Sequence, residues 1–155
     1  MRMEIMGEAG PDDARTHRRY PFELREPSDG LHIRFAYSPK TLEDREESRL
    51  LMERSIALYV APDQQARALE NVDRYYPLKN LITISVDDGR GYRGACHRHD
   101  AEQRLFLSEE EASPGLTRGP VEPGRWCVTL SLHAIVTASC SYRLEVWTAE
   151  EGENR

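Results

Sequence analysis

The stretch that decides the fold is SPGLTRGPVEPGRWCVTLSLHA, residues 113–134. Proline holds φ at about −65° and glycine accepts positive φ, so Pro114-Gly115 and Pro123-Gly124 can each form the centre of a type II turn. From Trp126 onward, apolar and polar residues alternate, which is typical of a half-buried strand. The stretch therefore predicts a stiffened loop that leads into a strand of a β-sandwich.

A similar two-residue alternation recurs on both sides of this stretch. The segments are residues 20–24, 31–37, 82–86, 104–107 and 142–147. About seven such strands, separated by turns rich in glycine and proline, predict a mainly β fold: an antiparallel, jelly-roll-like β-sandwich. The turn at residues 28–30 predicts a hairpin of the first two segments. The predicted core is Phe22, Ile33, Phe35, Ile82, Ile84, Val86, Leu105, Leu107, Trp126, Val128, Leu130, Leu132, Leu144 and Val146.

The chain is predicted to form a single sandwich domain over residues 19–148. Residues 1–18 lack periodicity and predict a flexible leader. Residues 149–155 predict an acidic, solvated tail. A helical insertion is expected near residues 41–75, because this part of the chain breaks the alternation.

The start of the insertion carries the clearest helical signal. Thr41 followed by Asp44 resembles a helix cap, and the residues after it are good helix formers with opposite charges at helical spacing. Residues 55–60 could continue this helix or form a strand, because a short apolar run fits both.

The composition excludes several functional classes. The 155 residues carry a formal net charge of −6, whereas nucleic-acid binding needs a basic surface. No apolar run approaches the roughly 20 residues that cross a bilayer, and the N-terminus lacks the apolar core of a secretory signal. We therefore expect a cytoplasmic protein without nucleic-acid or membrane partners. Cys96, Cys127 and Cys140 fit buried, reduced thiols.

Several groups of residues together resemble a known family. They are PLKNLITISVDDGRGYRG (residues 77–94), Ser108, ASPG (112–115), GPxxPGxW (119–126) and CSYRLEV (140–146). This pattern resembles the N-terminal β-sandwich attached to metallohydrolases of the polymerase-and-histidinol-phosphatase (PHP) superfamily, in the carbaryl-hydrolase-like branch. The resemblance covers residues 77–147 well and 20–37 weakly.

The resemblance implies a role without catalysis. In such relatives the sandwich precedes a catalytic domain that holds a cluster of divalent metals and hydrolyses phosphoesters or related esters. This chain ends at Arg155, where the resemblance places the end of the sandwich, and its five histidines are few for a multi-metal site. We expect an accessory or interaction module. Its expected partner is a protein, either a separately encoded metallohydrolase subunit or a second copy of the chain.

The sharpest polar segment is DDGRGYRGACHRHD, residues 87–100. His97 and His99 stand two apart, so on a strand both imidazoles project from one face, and His133 could supply a third nitrogen. Such a site could bind zinc and activate water, which would make the chain a small metal-dependent hydrolase. Histidines two apart also occur by chance, so we expect ordinary hydrogen bonding and no cofactor. The glycines of this segment predict a strand-connecting turn, since no helix follows to form a phosphate-binding loop.

An aromatic and arginine-rich surface is the preferred candidate for binding. Such side chains dominate binding hot spots because they bury large areas and make directional contacts. The candidate residues are Tyr92, Arg93, His97, Arg98, His99 and Trp147. Carbohydrate binding is the alternative, with Tyr92, Trp147 and Tyr59 as the aromatic platform. We assign no catalytic residue, because no nucleophile motif is recognisable.

Overall fold

The computed structural model describes residues 1–149, so the predicted acidic tail lies outside the described residues except for Ala149. The elements in chain order are β1 (Arg2–Ala9), β2 (Thr16–Leu24), β3 (Leu31–Ser38), β4 (Thr41–Leu42), α1 (Arg45–Tyr59), α2 (Gln65–Glu70), β5 (Leu78–Lys79), β6 (Leu81–Asp88), β7 (Gly91–Cys96), β8 (Glu102–Leu107), β9 (Gly124–Ala134) and β10 (Cys140–Thr148). Single 3₁₀ turns lie at Pro11–Asp13, Pro62–Gln64 and Val72–Tyr75.

The eight long strands form two four-stranded antiparallel sheets. Sheet A has the order β1-β10-β3-β8, and sheet B has the order β2-β9-β6-β7. Two interlocked Greek keys with this strand order are a jelly roll. The predicted mainly β sandwich with a helical insertion is confirmed. The insertion carries β4, α1, α2 and β5, and it lies between β3 and β6.

The core lies between the two sheets. Along β3, Ile33 and Phe35 are buried while Arg34 is exposed, and β8 alternates in a similar way. The predicted core residues are all buried except Phe22, which packs half-buried at the margin. Burial of each large apolar side chain contributes roughly 1.5–3 kcal/mol, so this shared interior holds the sheets together.

The prediction of a flexible leader at residues 1–18 is wrong. Residues 2–9 form β1, which pairs along its whole length with β10, from Arg2 opposite Trp147 to Ala9 opposite Cys140. The alternation in β1 is weak because Gly7 and Ala9 occupy inward positions. Gly7 is required there, since a Cβ atom would collide with the ring of Tyr142.

The hairpin predicted for residues 20–37 is also wrong. β2 pairs with β9 in sheet B, whereas β3 pairs with β10 and β8 in sheet A. The turn at residues 28–30 therefore crosses between the sheets. Ser28 fixes this crossing, because its hydroxyl donates to the carbonyl oxygens of Gly30 and Ala149, at 3.0 and 2.9 Å.

Residues 55–60 continue the first helix, apart from Val60, which caps it. Asp44 is the N-cap residue, and its carboxylate accepts a hydrogen bond from the amide of Glu47 at 2.8 Å. Acidic residues in the first turn suit the positive end of the helix dipole. Among the described helices, none combines the length and the apolar character needed to cross a bilayer.

The proline-glycine loop contains the type II turn predicted at Pro114-Gly115. The amide of Leu116 donates to the carbonyl of Ser113 at 2.9 Å, and Gly115 has a φ of 100°, as a type II turn requires. The loop also covers the edge of β7. The amide of Ala95 donates to the carbonyl of Gly115, and the amide of Thr117 donates to the carbonyl of Arg93.

Candidate functional site

The predicted binding residues do not share one surface. Tyr92 lies on β7 in sheet B and is 66% exposed, whereas Trp147 lies on β10 in sheet A. Trp147 follows the buried Val146, so its ring points away from the core, where it stacks on His32 with ring centroids 5.1 Å apart. Tyr59 ends α1, beneath the guanidinium of Arg15. The three aromatic candidates therefore form no common platform, and carbohydrate binding stays a prediction.

Arg93 is buried, so its assignment to an exposed binding surface is wrong. Its Nη1 donates to Asp88 Oδ2 at 2.8 Å and to the carbonyl of Pro120 at 3.0 Å. Its Nη2 donates to the carbonyls of Gly119 and Thr117, at 2.9 and 3.3 Å. A planar guanidinium with five donors suits such a set of acceptors. Arg93 thus anchors the loop that the proline-glycine pattern predicts.

Asp88 organises the turn between β6 and β7. Its Oδ1 accepts hydrogen bonds from the amides of Arg90 and Gly91, at 2.8 and 3.0 Å, which confirms the predicted strand-connecting turn. Burial raises the pKa of Asp88, but the hydrogen bonds from Arg93 and from the turn amides outweigh it. The pKa of Asp88 therefore lies below its usual value, and the carboxylate is charged at neutral pH.

The histidines of the polar segment are not on a strand. His97 and His99 follow β7 in residues 97–100, and both are exposed, with Arg98 half-buried between them. His97 approaches His133, with ring centroids 6.4 Å apart. Within residues 1–149, no group of three His, Cys, Asp or Glu side chains is arranged to hold a metal ion. The geometry therefore gives no support to the zinc hypothesis.

His133 has a second histidine neighbour that the sequence did not indicate. Its Nε2 lies 2.7 Å from the hydroxyl of Thr83, and His17 Nδ1 lies 2.9 Å from the hydroxyl of Ser131 on the same face of sheet B. Burial lowers the pKa of His133, and His97 and His17 lower it further. His17 was missed because it lies in the segment predicted to be a leader.

The three cysteines are buried and reduced, as predicted. Burial raises the pKa of the Cys96 and Cys140 thiols, so both are protonated at neutral pH. A thiol is a weak nucleophile and a thiolate a strong one. These cysteines therefore serve as small apolar residues of the strands.

An apolar groove lies between α1 and the end of the sandwich. It has a volume of about 330 Å³, and it is lined by Pro11, Leu51, Met52, Ser55, Ile56, Val72, Tyr75, Leu78, Ile135 and Val136. Leu51, Met52 and Ile56 form one face of α1 and are only half-buried. A groove of this composition takes apolar side chains from a ligand or partner.

Further large apolar residues of the insertion point into solvent. Leu58, Tyr59 and Tyr75 are 75%, 69% and 67% exposed, and Ser48 is the buried residue of α1. Of these three residues, Tyr75 also lines the groove. The helix could be predicted from the sequence, but its exposed apolar residues could not. A half-buried helix and a buried one have similar patterns of apolar residues.

The comparisons with known proteins leave the family of this chain open. No family model and no curated protein matches the chain, so the resemblance to the PHP-associated sandwich stays a prediction. Among solved structures, the crystal structure of GEBA250068378 from Sulfurospirillum deleyianum is similar over 96% of this chain and 99% of that one. It has 10% sequence identity and a TM-score of 0.35, and we infer nothing from it.

Proposed function

We propose that this protein is a non-catalytic accessory module that binds a protein partner through the apolar groove of its helical insertion. The partner in this proposal is a separately encoded metallohydrolase, as the PHP resemblance implies. The observation that carries the proposal is the half-buried face of α1 beside the groove. Binding would cover Met52, Ile56 and Tyr75, which water now reaches.

Two tyrosines of equal exposure allow a matched test. Tyr75 lines the groove, and Tyr92 lies on β7 outside it, with exposures of 67% and 66%. Tyr75→Glu places a charge in the apolar groove, whereas Tyr92→Glu changes a solvated strand. Neither substitution removes a buried side chain, so we expect both variants to fold.

The experiment is affinity capture from the native host with the wild type and both variants, followed by mass spectrometry. We expect a metallohydrolase to be captured by the wild type and by Tyr92→Glu, and Tyr75→Glu to lose at least about tenfold of it, since buried unpaired charge opposes binding. Equal capture by both variants would show that the groove is not the site. Capture of no metallohydrolase by any form would contradict the proposed partner.

A further inference from the structure

We propose that the protein forms a two-fold symmetric dimer in which β1 pairs antiparallel with β1 of a second copy. Glu4 and Met6 of one copy would face Met6 and Glu4 of the other, with Arg2 facing Glu8 at both ends. Sheet A would become a continuous eight-stranded sheet. This surface is separate from the apolar groove, so the proposal does not depend on the proposed function.

The first argument is that β1 is an edge strand without the usual protection. Edge strands are open to pairing with other chains, and proteins limit this with proline, bulges, charged side chains (lysine above all) or a covering segment. The charged residues of β1 are Arg2, Glu4 and Glu8. The eight residues of β1 contain no proline or lysine, and their pairing with β10 has no register shift. Met6 at its centre is 78% exposed.

The other three sheet edges of the described chain are protected. β2 contains Pro21, which cannot donate to a neighbouring strand. The edge of β7 is covered by residues 115–117, and the edge of β8 is covered where the amide of Ser113 donates to the carbonyl of Phe106 at 2.8 Å. On the open edge of β1, Arg18 reaches the carbonyl of Glu8 near one end, whereas Met6 at the centre stays exposed.

The second argument is that the even-numbered residues of β1 direct their backbone hydrogen-bonding groups away from β10. The amide of Thr148 donates to the carbonyl of Met1, its direct neighbour on β10, so the odd-numbered residues of β1 bond to β10. The even-numbered residues then direct their amide and carbonyl groups toward the open edge. The carbonyl of Glu8 confirms this direction, because it accepts from Arg18 Nη1 at 2.7 Å.

The third argument is charge complementarity, which selects one register. Pairing through the even-numbered residues allows a two-fold axis at Glu4, at Ile5 or at Met6. An axis at Glu4 places Glu4 opposite itself, and an axis at Met6 places Glu4 opposite Glu8. An axis at Ile5 places Arg2 opposite Glu8 twice and Glu4 opposite Met6. Like charges directly opposite each other are unfavourable, so the axis lies at Ile5.

The proposed pairing would also bury more of the apolar side chains on the inner face of β1. Met3 and Ile5 are half-buried at the margin of the core, where they pack against it without being covered. In the proposed register Ile5 meets Ile5 of the second copy, and Met3 lies opposite Gly7, where it would contact the ring of Tyr142 that covers this glycine. A two-fold interface of this kind is self-complementary.

The test is a charge exchange followed by analytical ultracentrifugation over a concentration series. We expect the wild type to be dimeric at about 100 μM. Arg2→Glu and Glu8→Arg should each weaken dimerisation by roughly tenfold, because each creates two like-charge pairs. The double variant should recover most of the affinity. Glu23→Arg, on the Pro21-containing strand β2, makes the same change in charge and should leave the dimer intact.

A second variant tests the backbone pairing. Met6→Pro removes an amide that faces the open edge and that β10 does not use, so it should abolish the dimer while circular dichroism reports a folded monomer. Met6→Thr retains the amide and should remain dimeric. A monomeric wild type, a dimer insensitive to the single charge changes, or failure of the double variant to recover would each overturn the proposal.

Discussion

Arg93→Met removes the buried guanidinium that anchors the proline-glycine loop. It leaves three loop carbonyls without their donor and leaves the Asp88 carboxylate with only its turn amides. Removing one partner of a buried ion pair costs roughly 3–5 kcal/mol. The Arg93 and Asp88 side chains are 10% and 12% exposed, so we expect the lower end, about 3 kcal/mol.

Arg93→Lys separates the charge from the geometry of the guanidinium. An ammonium group can reach Asp88 but not all of the carbonyls at once, so we expect a loss of about half as much, roughly 1.5 kcal/mol. Arg90→Met is the matched control. Arg90 pairs with Glu122 across the same loop, but its side chain is 77% exposed, and exposed ion pairs contribute only about 0–1 kcal/mol.

The measurement is unfolding in guanidinium chloride, monitored by the fluorescence of the buried Trp126, over which the Arg93 guanidinium lies. The midpoint should fall in the order wild type, Arg90→Met, Arg93→Lys, Arg93→Met, with the m-value unchanged. A loss for Arg93→Met below about 1 kcal/mol, or equal to that of Arg90→Met, would refute the view that Arg93 anchors the loop.

Three further predictions concern other parts of the sandwich. The pKa of His133 is lower in the folded chain than in the unfolded one, so the unfolded chain binds a proton there more readily. The free energy of unfolding should therefore decrease as the pH drops through about 6.5. Denaturant titrations between about pH 7.5 and 5.5 should show a smaller decrease for His133→Asn. Gly94→Ala should lower the free energy of unfolding by roughly 2–4 kcal/mol, because the new Cβ would collide with the backbone of Gly115. Gly91 also has a positive φ but has open space around it, so Gly91→Ala should lower it by about 1 kcal/mol. Equal losses in thermal melts would contradict this difference. Asn80→Ala should cost roughly 3 kcal/mol, because its amide group bonds Pro39, Val136 and Thr137; a shift below about 4 °C in melting temperature would count against it.

The sandwich could be predicted from the sequence because its strands have one buried face and one more exposed face. In β3, Ile33 and Phe35 face the core and the exposed Arg34 lies between them, so a local pattern records the tertiary environment. The turn at Pro114-Gly115 was predictable for a related reason, since proline and glycine restrict φ locally. Pairing partners were not predictable, because alternation says which face of a strand is buried and not which strand lies beside it.

The candidate sites were harder to predict because they depend on contacts between distant segments. Arginine usually lies at the protein surface. Arg93 is buried because Asp88 and the carbonyls of residues 117–120 accept hydrogen bonds from its guanidinium. His17 meets the His133 face only through the pairing of β2 with β9. No single segment carries a signal for either contact.

The first strand was missed for a physical reason. Two of the inward positions of β1 hold the small residues Gly7 and Ala9, and Met6 on its outer face is 78% exposed. Apolar and polar residues therefore do not separate cleanly onto the two faces of β1, although the strand pairs with β10 along its whole length. A local pattern records burial within the chain, so a strand that places a large apolar residue in water gives a weak signal.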